Sequence, residues 1–356
     1  MKVVIHAWRE LASHLAGGAE ALVDHLATGL HDRGHDVHLI AGGRVESRNY
    51  AVTSCGGVYD QYLRAPIVRH RVAPRADLVI DTAAGMTYCS PLLRRQPTVL
   101  LVHHIHTEQW GQWFSPPIAT FGRLFESRLV PIVYRNCIVV AVSESTAAAL
   151  EEIGFDRAQI RIVHNVAEPP PAGDVVPRST EPLFVALGRL VPHKRVDLLI
   201  EMWAKVQPIV GGRLVIIGEG PQREKLRSMA APGVEVLGRT DDAVKHRLLA
   251  QAWMLVHGAS HEGWGVAITE AAMHGTPCLA FSVPGVRDAV VHESTGVLAD
   301  DPEQFVKNWI ELATVPQLID EYGRAARQRA SQFSAAATAD RFEDVALEAL
   351  DRWRAR

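Results

Sequence analysis

Val3-Val4-Ile5-His6-Ala7, then Gly17-Gly18-Ala19-Glu20, then a helix-period run and Val37-His38-Leu39-Ile40 read together as one strand–helix–strand unit. Leu22, Leu26 and Leu30 recur at four-residue spacing and line one face of a helix from about Ala19 to Arg33, which Gly34 stops. The flanking runs are short and apolar, as strands buried on both faces of a parallel sheet are.

The same alternation continues outward. Apolar runs follow at Leu78 to Ile80, Thr98 to Val102 and Ile138 to Val142. A break comes where Glu168-Pro169-Pro170-Pro171-Ala172-Gly173, with Pro177 and Pro182, can sustain neither helix nor central strand. A second series then runs through strands Leu183 to Leu187, Leu214 to Ile217, Val234 to Leu237, Met254 to His257 and Cys278 to Phe281. Helices are expected from about Val196, after Pro221, around Ala243 to Ala250 and from about Val266. The reading is α/β: a Rossmann-like domain over 1–170, a proline-rich linker over 171–182 and a second α/β domain over 183–334. A terminal helix over 335–356 carries Phe342, Val345, Leu347 and Leu350 among charges. Ligands of such sheets bind beyond the carboxyl ends of the strands.

Composition excludes several classes. The 356 residues carry 37 Lys plus Arg against 40 Asp plus Glu, a net charge of −3, which is not the basic footprint of a nucleic-acid binder. The four cysteines, Cys55, Cys89, Cys137 and Cys278, are far apart, so neither a disulfide framework nor a cysteine zinc site is expected, and a reducing cytoplasm fits. The chain starts directly on a strand-like run, which argues against a cleaved leader. No uncharged apolar stretch approaches the roughly 18–20 residues of a membrane span, although contact with a membrane surface stays open.

The chemistry is written in two segments of the second series. Gly188-Arg189-Leu190-Val191-Pro192-His193-Lys194 follows a strand and precedes a helix, placing two cations at the sheet's carboxyl edge, where a diphosphate needs them. Taken alone, such a loop is equally a solvated basic turn. Glu262-Gly263-Trp264-Gly265-Val266-Ala267-Ile268-Thr269-Glu270 sets two carboxylates eight positions apart, the first beside glycines and the second about one turn into a helix. Ionised carboxylates accept hydrogen bonds and suit vicinal hydroxyls, so one could hold a hexose and the other a ribose. Either glutamate by itself is also an ordinary helix-start acid; the set of four is not explained that way.

This set resembles the donor half of a retaining GT-B glycosyltransferase of family 4, the group 1 glycosyltransferases. Gly17-Gly18-Ala19-Glu20 resembles that family's first glycine-rich loop, and Val142-Ser143-Glu144-Ser145 with His164-Asn165 its segments before the linker. The resemblance spans residues 3 to about 300 and implies two Rossmann-like domains facing a central cleft. By position, it implies that Arg189 and Lys194 bind the donor diphosphate. Glu262 would meet the transferred sugar with the backbone of Gly263, Trp264, Gly265 and Val266. Glu270 would meet the ribose, and Gly17 and Gly18 would approach the phosphates. The family's histidine after a first-domain strand falls on Val102-His103-His104-Ile105-His106; His103 is first after the strand and is assigned the catalytic place, with His104 second. Acceptor contacts are expected at Glu20, His104 and Trp110, with Trp113 completing a stacking wall. Tryptophans at such positions are also ordinary core residues.

The sequence departs from the family at Arg195, where a glycine is usual after the lysine, and the stretch from about Ser47 to Arg75 fits no pattern. The function expected is transfer of a hexose-type sugar, with retention, from a nucleoside diphosphate donor, UDP or GDP, to an acceptor hydroxyl. No metal is expected, because Arg189 and Lys194 supply the positive charge, and no cofactor beyond the nucleotide sugar. A sugar-nucleotide epimerase on the same fold is the first rival. A nicotinamide dehydrogenase is the second, weakened because Gly218-Glu219-Gly220-Pro221 holds only the first two glycines of G-x-G-x-x-G.

Overall fold

The computed structural model describes residues 1–356 except 14, 15, 58, 94, 108, 171–175 and 230, and the side chains of 112 and 113. Part of the expected linker, residues 171–175, and the Trp113 side of the expected aromatic wall therefore lie outside the described residues. The chain divides into two compact units, residues 1–166 with 335–356, and residues 167–334.

The first unit holds seven strands: β1 (Lys2–Ala7), β2 (Asp36–Ala41), β3 (Ala51–Ser54), β4 (Leu78–Ala83), β5 (Thr98–Val102), β6 (Ile138–Ala141) and β7 (Ile160–Ile162). They pair in parallel in the order β3-β2-β1-β4-β5-β6-β7. Val79, Leu100 and Val139 have no exposed surface, which is why these strands read as continuous apolar runs. The helix Gly18–Asp32 buries Leu22, Leu26 and Leu30, and the terminal helix Ala335–Arg354 packs against it. Arg33, just after the first helix, pairs with Asp340 of the terminal helix, and Arg161 of β7 pairs with Glu348 of the same terminal helix.

The stretch around Ser47 to Arg75, which fitted no pattern, contains β3 and the helix Gln61–Val72. β3 is a four-residue edge strand with no buried residue, and the helix has Pro66 inside it. Both lack the periodic apolar signal that reveals the other elements.

The second unit holds β8 (Leu183–Leu187), β9 (Arg213–Ile217), β10 (Val234–Gly238), β11 (Met254–His257), β12 (Cys278–Phe281) and β13 (Gly296–Ala299), ordered β10-β9-β8-β11-β12-β13 and again parallel. Phe184, Trp203 and Trp309 form a buried aromatic cluster on one face, with Phe184 and Trp309 edge-on at 5.3 Å. Strand order reverses between β8 and β11. That reversal is the topological switch point, where the loops leaving two neighbouring strands part and open a crevice.

Candidate active site

The two segments singled out from sequence leave the sheet on either side of this switch point. Residues 188–194 follow β8, and residues 258–265 follow β11. Backbone contacts stitch the loops together: the Ser260 amide donates to the His193 carbonyl at 2.8 Å, and the Lys194 and Arg195 carbonyls lie against Gly258.

Arg195, the departure from the family pattern, stands at φ 48° in the left-handed region a glycine would enter freely. Its guanidinium holds it there. Nε donates to the Gly258 carbonyl at 2.7 Å, Nη2 to the Ala259 carbonyl at 3.4 Å, and the group lies over the Phe281 ring at 4.2 Å. The side chain thus adds a second clamp between the β8 and β11 exits.

A solvated basic turn would leave Lys194 exposed. It is instead largely buried, paired through its ammonium with Glu262, and the two side chains are 14% and 15% exposed. Burial alone would raise the Glu262 carboxyl, but Lys194 and His257 hold it below the ordinary range. His257, the last residue of β11, sits with Nε2 3.7 Å from Glu262. Burial, then the Lys194 charge, pushes His257 down to about 4; burial, then Lys194 and Arg189, does the same to His193. Both imidazoles are therefore neutral at pH 7, and the positive charge of these loops rests on Lys194, Arg189 and the Arg195 guanidinium. Arg189 is exposed.

Glu270 lies in the helix Val266–Met273, one turn from its start. It too has a lysine partner that the sequence reading missed. Lys245, from the helix Asp242–Gln251, donates to Glu270 Oε1 at 3.0 Å and reaches Asp242 at 3.1 Å. Burial lowers the Lys245 pKa, yet Glu270 and Asp242 more than offset it, and the net shift is upward. Gly263 is half-buried. Trp264 is buried, with its ring edge-on to Phe333 at 4.9 Å. Gly265 caps the helix at φ 93°, ahead of Val266. Gly285 passes so close beneath that a Cβ there would sit 2.3 Å from the Glu262 carbonyl.

In the first unit, Gly17 caps the helix that begins at Gly18. The Glu20 carboxylate accepts the Gly17 amide at 2.9 Å, which is a helix-capping role. His103 follows β5 directly and is buried, and among the described residues its Nδ1 has no hydrogen-bond partner; burial and then His106 push it down to about 4. His104 stacks on His106 at 3.9 Å. Trp110 is buried, its indole donating to Glu126 at 3.2 Å while its ring lies against Gly122. The structure thus gives it a packing position rather than an open wall. Glu126, not anticipated from sequence, also accepts the His106 amide at 2.8 Å and so pins the loop that carries the three histidines. It sits in a π-helical turn, Phe125–Leu129, inside a longer helical run.

Two family models divide the chain between them. Residues 16–169 match "Glycosyltransferase Family 4" and residues 173–329 match "Glycosyl transferases group 1". A GDP-mannose-dependent alpha-(1-6)-phosphatidylinositol monomannoside mannosyltransferase of Mycobacterium tuberculosis is 28% identical over 295 residues, 74% of this chain and 72% of the relative. A D-inositol 3-phosphate glycosyltransferase of Thermobispora bispora is 32% identical over 187 residues, 48% of this chain and 43% of the relative. Among solved structures, Anabaena HepE in complex with UDP and glucose superposes with a TM-score of 0.78 at 17% identity, covering 98% of this chain and 100% of that one. Sucrose-phosphate synthase from Thermosynechococcus elongatus gives 0.79 at 17% identity, covering 100% and 98%. At these identities the structural likeness concerns the fold, which is GT-B.

Proposed function

The chain belongs to the group 1 glycosyltransferases of family 4, and on that premise we propose that it moves a hexose-type sugar from UDP or GDP to an acceptor hydroxyl, with retention at the anomeric carbon. The observation that carries the reading is the convergence of Lys194 and Glu262 at the switch point of the second sheet, with Glu270 one turn into the adjoining helix. A cation for the diphosphate and two carboxylates for hydroxyls are what a nucleotide sugar requires of one site.

In this reading the diphosphate approaches Lys194 and Arg189, and the Lys194 ammonium stays between phosphate and Glu262. Glu262 accepts hydroxyl hydrogen bonds from the transferred sugar, and Glu270 accepts them from the ribose. Negative charge grows on the leaving diphosphate as the glycosidic C–O bond breaks. Lys194 and Arg189 stabilise it in a partly dry site, where fixed charges act most strongly. The acceptor oxygen bonds to the anomeric carbon from the face the phosphate leaves, and the departing phosphate oxygen takes the acceptor proton. A metal is not required for this charge balance. His103, neutral at pH 7, is assigned to the transferred sugar's hydroxyls as a hydrogen-bonding group.

The relatives differ in nucleotide: the Mycobacterium tuberculosis enzyme is GDP-mannose-dependent, whereas HepE binds UDP together with glucose. Thermal-shift screening against UDP, GDP and dTDP, then turnover of the matching sugars with the product's anomeric configuration read by NMR, tests the proposal. An inverted product would overturn retention. Interconversion of sugar nucleotides without an acceptor would favour the epimerase.

A further inference from the structure

We propose that His257 takes up a proton when the sugar nucleotide binds and becomes a second cation on Glu262, releasing Lys194 toward the diphosphate. This rests on the roles assigned above to Lys194 and Glu262 and adds the residue that balances their charge. In the free protein Glu262 has Lys194 as its ion-pair partner. One ammonium cannot serve a carboxylate and a diphosphate equally. A neighbour that gains charge as Lys194 turns away keeps Glu262 ionised for the sugar hydroxyls.

His257 closes β11 and is buried. Its Nε2 lies 3.7 Å from Glu262 Oε1, the same oxygen that meets the Lys194 ammonium. That is too far for a hydrogen bond, and among the described residues Nε2 has no hydrogen-bond partner. A buried nitrogen left unpaired costs stability and calls for a role. In the imidazolium both ring nitrogens carry N–H, so Nε2 becomes a donor facing Oε1 whichever tautomer the neutral ring holds. A small ring rotation then closes a charge-assisted hydrogen bond.

The neighbours decide when the ring charges. From the loop after β8 it faces Lys194 and His193, and from its own loop Glu262. The adjoining strands β8 and β12 bring no charged side chain, and the Arg195 guanidinium is engaged on the Gly258 and Ala259 carbonyls. Without ligand, burial and then the Lys194 charge keep the ring neutral at pH 7. A diphosphate beside Lys194 and Arg189 brings negative charge into these loops and offsets the Lys194 charge. Both effects favour the imidazolium. The proton comes from solvent and returns to it when the nucleotide leaves. His257 is thus a positioning residue, acting through Glu262.

Calorimetric titration of UDP-glucose and of GDP-mannose into the full chain at about pH 6, repeated in buffers of different ionisation enthalpy, counts the protons taken up. Sugar nucleotides are used because the terminal phosphate of free UDP or GDP itself titrates near pH 6. The donor that binds should bring about half a proton or more into the protein, and its affinity should fall about three- to tenfold between about pH 6 and pH 8. His257→Asn should lose this uptake and bind with an affinity nearly independent of pH. Glu262→Gln keeps the ring but removes its partner, and should lose most of the uptake. Binding by the wild type without proton uptake would overturn the proposal and leave the donor site standing. Uptake by His257→Asn equal to wild type would overturn it too, placing the proton on another group such as His193. Binding of neither sugar nucleotide would overturn the reading of the site itself, and the proposal with it.

Discussion

The Lys194 ammonium and the Glu262 carboxylate, 68 positions apart in sequence, form an ion pair between the loops leaving β8 and β11. Two residues assigned to different parts of one ligand thus neutralise each other in the protein itself. Phosphate must compete for Lys194, and Glu262 is held ionised for its hydroxyl partners.

Lys194→Ala is expected to weaken nucleoside diphosphate binding by about 1.5–3 kcal/mol, the worth of a charge-assisted hydrogen bond. It should also cost stability, about 1–3 kcal/mol, because Glu262 is left charged and largely buried without its partner. Calorimetric titration and thermal melting read the two effects separately. A variant with wild-type affinity would remove Lys194 from the diphosphate.

Arg195 supports an ordering. Arg195→Gly loses the bonds to Gly258 and Ala259 but relieves the left-handed backbone; Arg195→Ala loses the same bonds and keeps the strain. Melting temperatures should fall in the order wild type, glycine, alanine, with alanine about 1 kcal/mol below glycine. Alanine melting above glycine would show that the turn is not strained.

His103 and His257 are buried and pushed down to about 4. In the unfolded chain they regain an ordinary value near 6.5. Between those values the unfolded state binds protons that the folded state does not, so stability rises with pH there and falls as pH drops from about 6.5 to 4. Each histidine contributes a slope of up to about 1.4 kcal/mol per pH unit. Denaturant melts of His257→Asn across this range should show a shallower slope than wild type; an equal slope would mean that His257 is not held neutral.

His103→Ala should lower turnover far more than His104→Ala at similar stability. His103 leaves β5 first and keeps an unpartnered buried nitrogen, whereas His104 stacks on His106. Steady-state rates of both variants decide it, and the reverse ranking would move the role by one residue.

The alternation of strands and helices was legible because most strands are buried runs of Val, Ile and Leu between amphipathic helices. β3 and the helix Gln61–Val72 were not, since an edge strand without buried residues and a proline-containing helix carry no clear period. The residue types of the candidate site were readable as loop cations and spaced carboxylates. Their pairing was not: Lys194 meets Glu262, and Lys245 meets Glu270, across loops and helices that only the folded sheet brings together. His257 carried a signal, being a polar residue at the carboxyl end of a buried strand. Glu126 carried none, because its partners are backbone and indole groups.

The most direct test of the central claim is calorimetric titration of UDP and GDP into wild type, Glu262→Gln and Glu270→Gln, beside turnover of the matching sugar nucleotide. One of the two nucleotides should bind the wild type. Glu270→Gln should bind it about 1.5–3 kcal/mol more weakly, having lost a charged acceptor for the ribose. Glu262→Gln should bind it as well or better, because Lys194 is freed for the phosphates, while turnover of the sugar nucleotide drops. Binding of neither nucleotide, or equal losses of affinity in the two variants, would contradict the account.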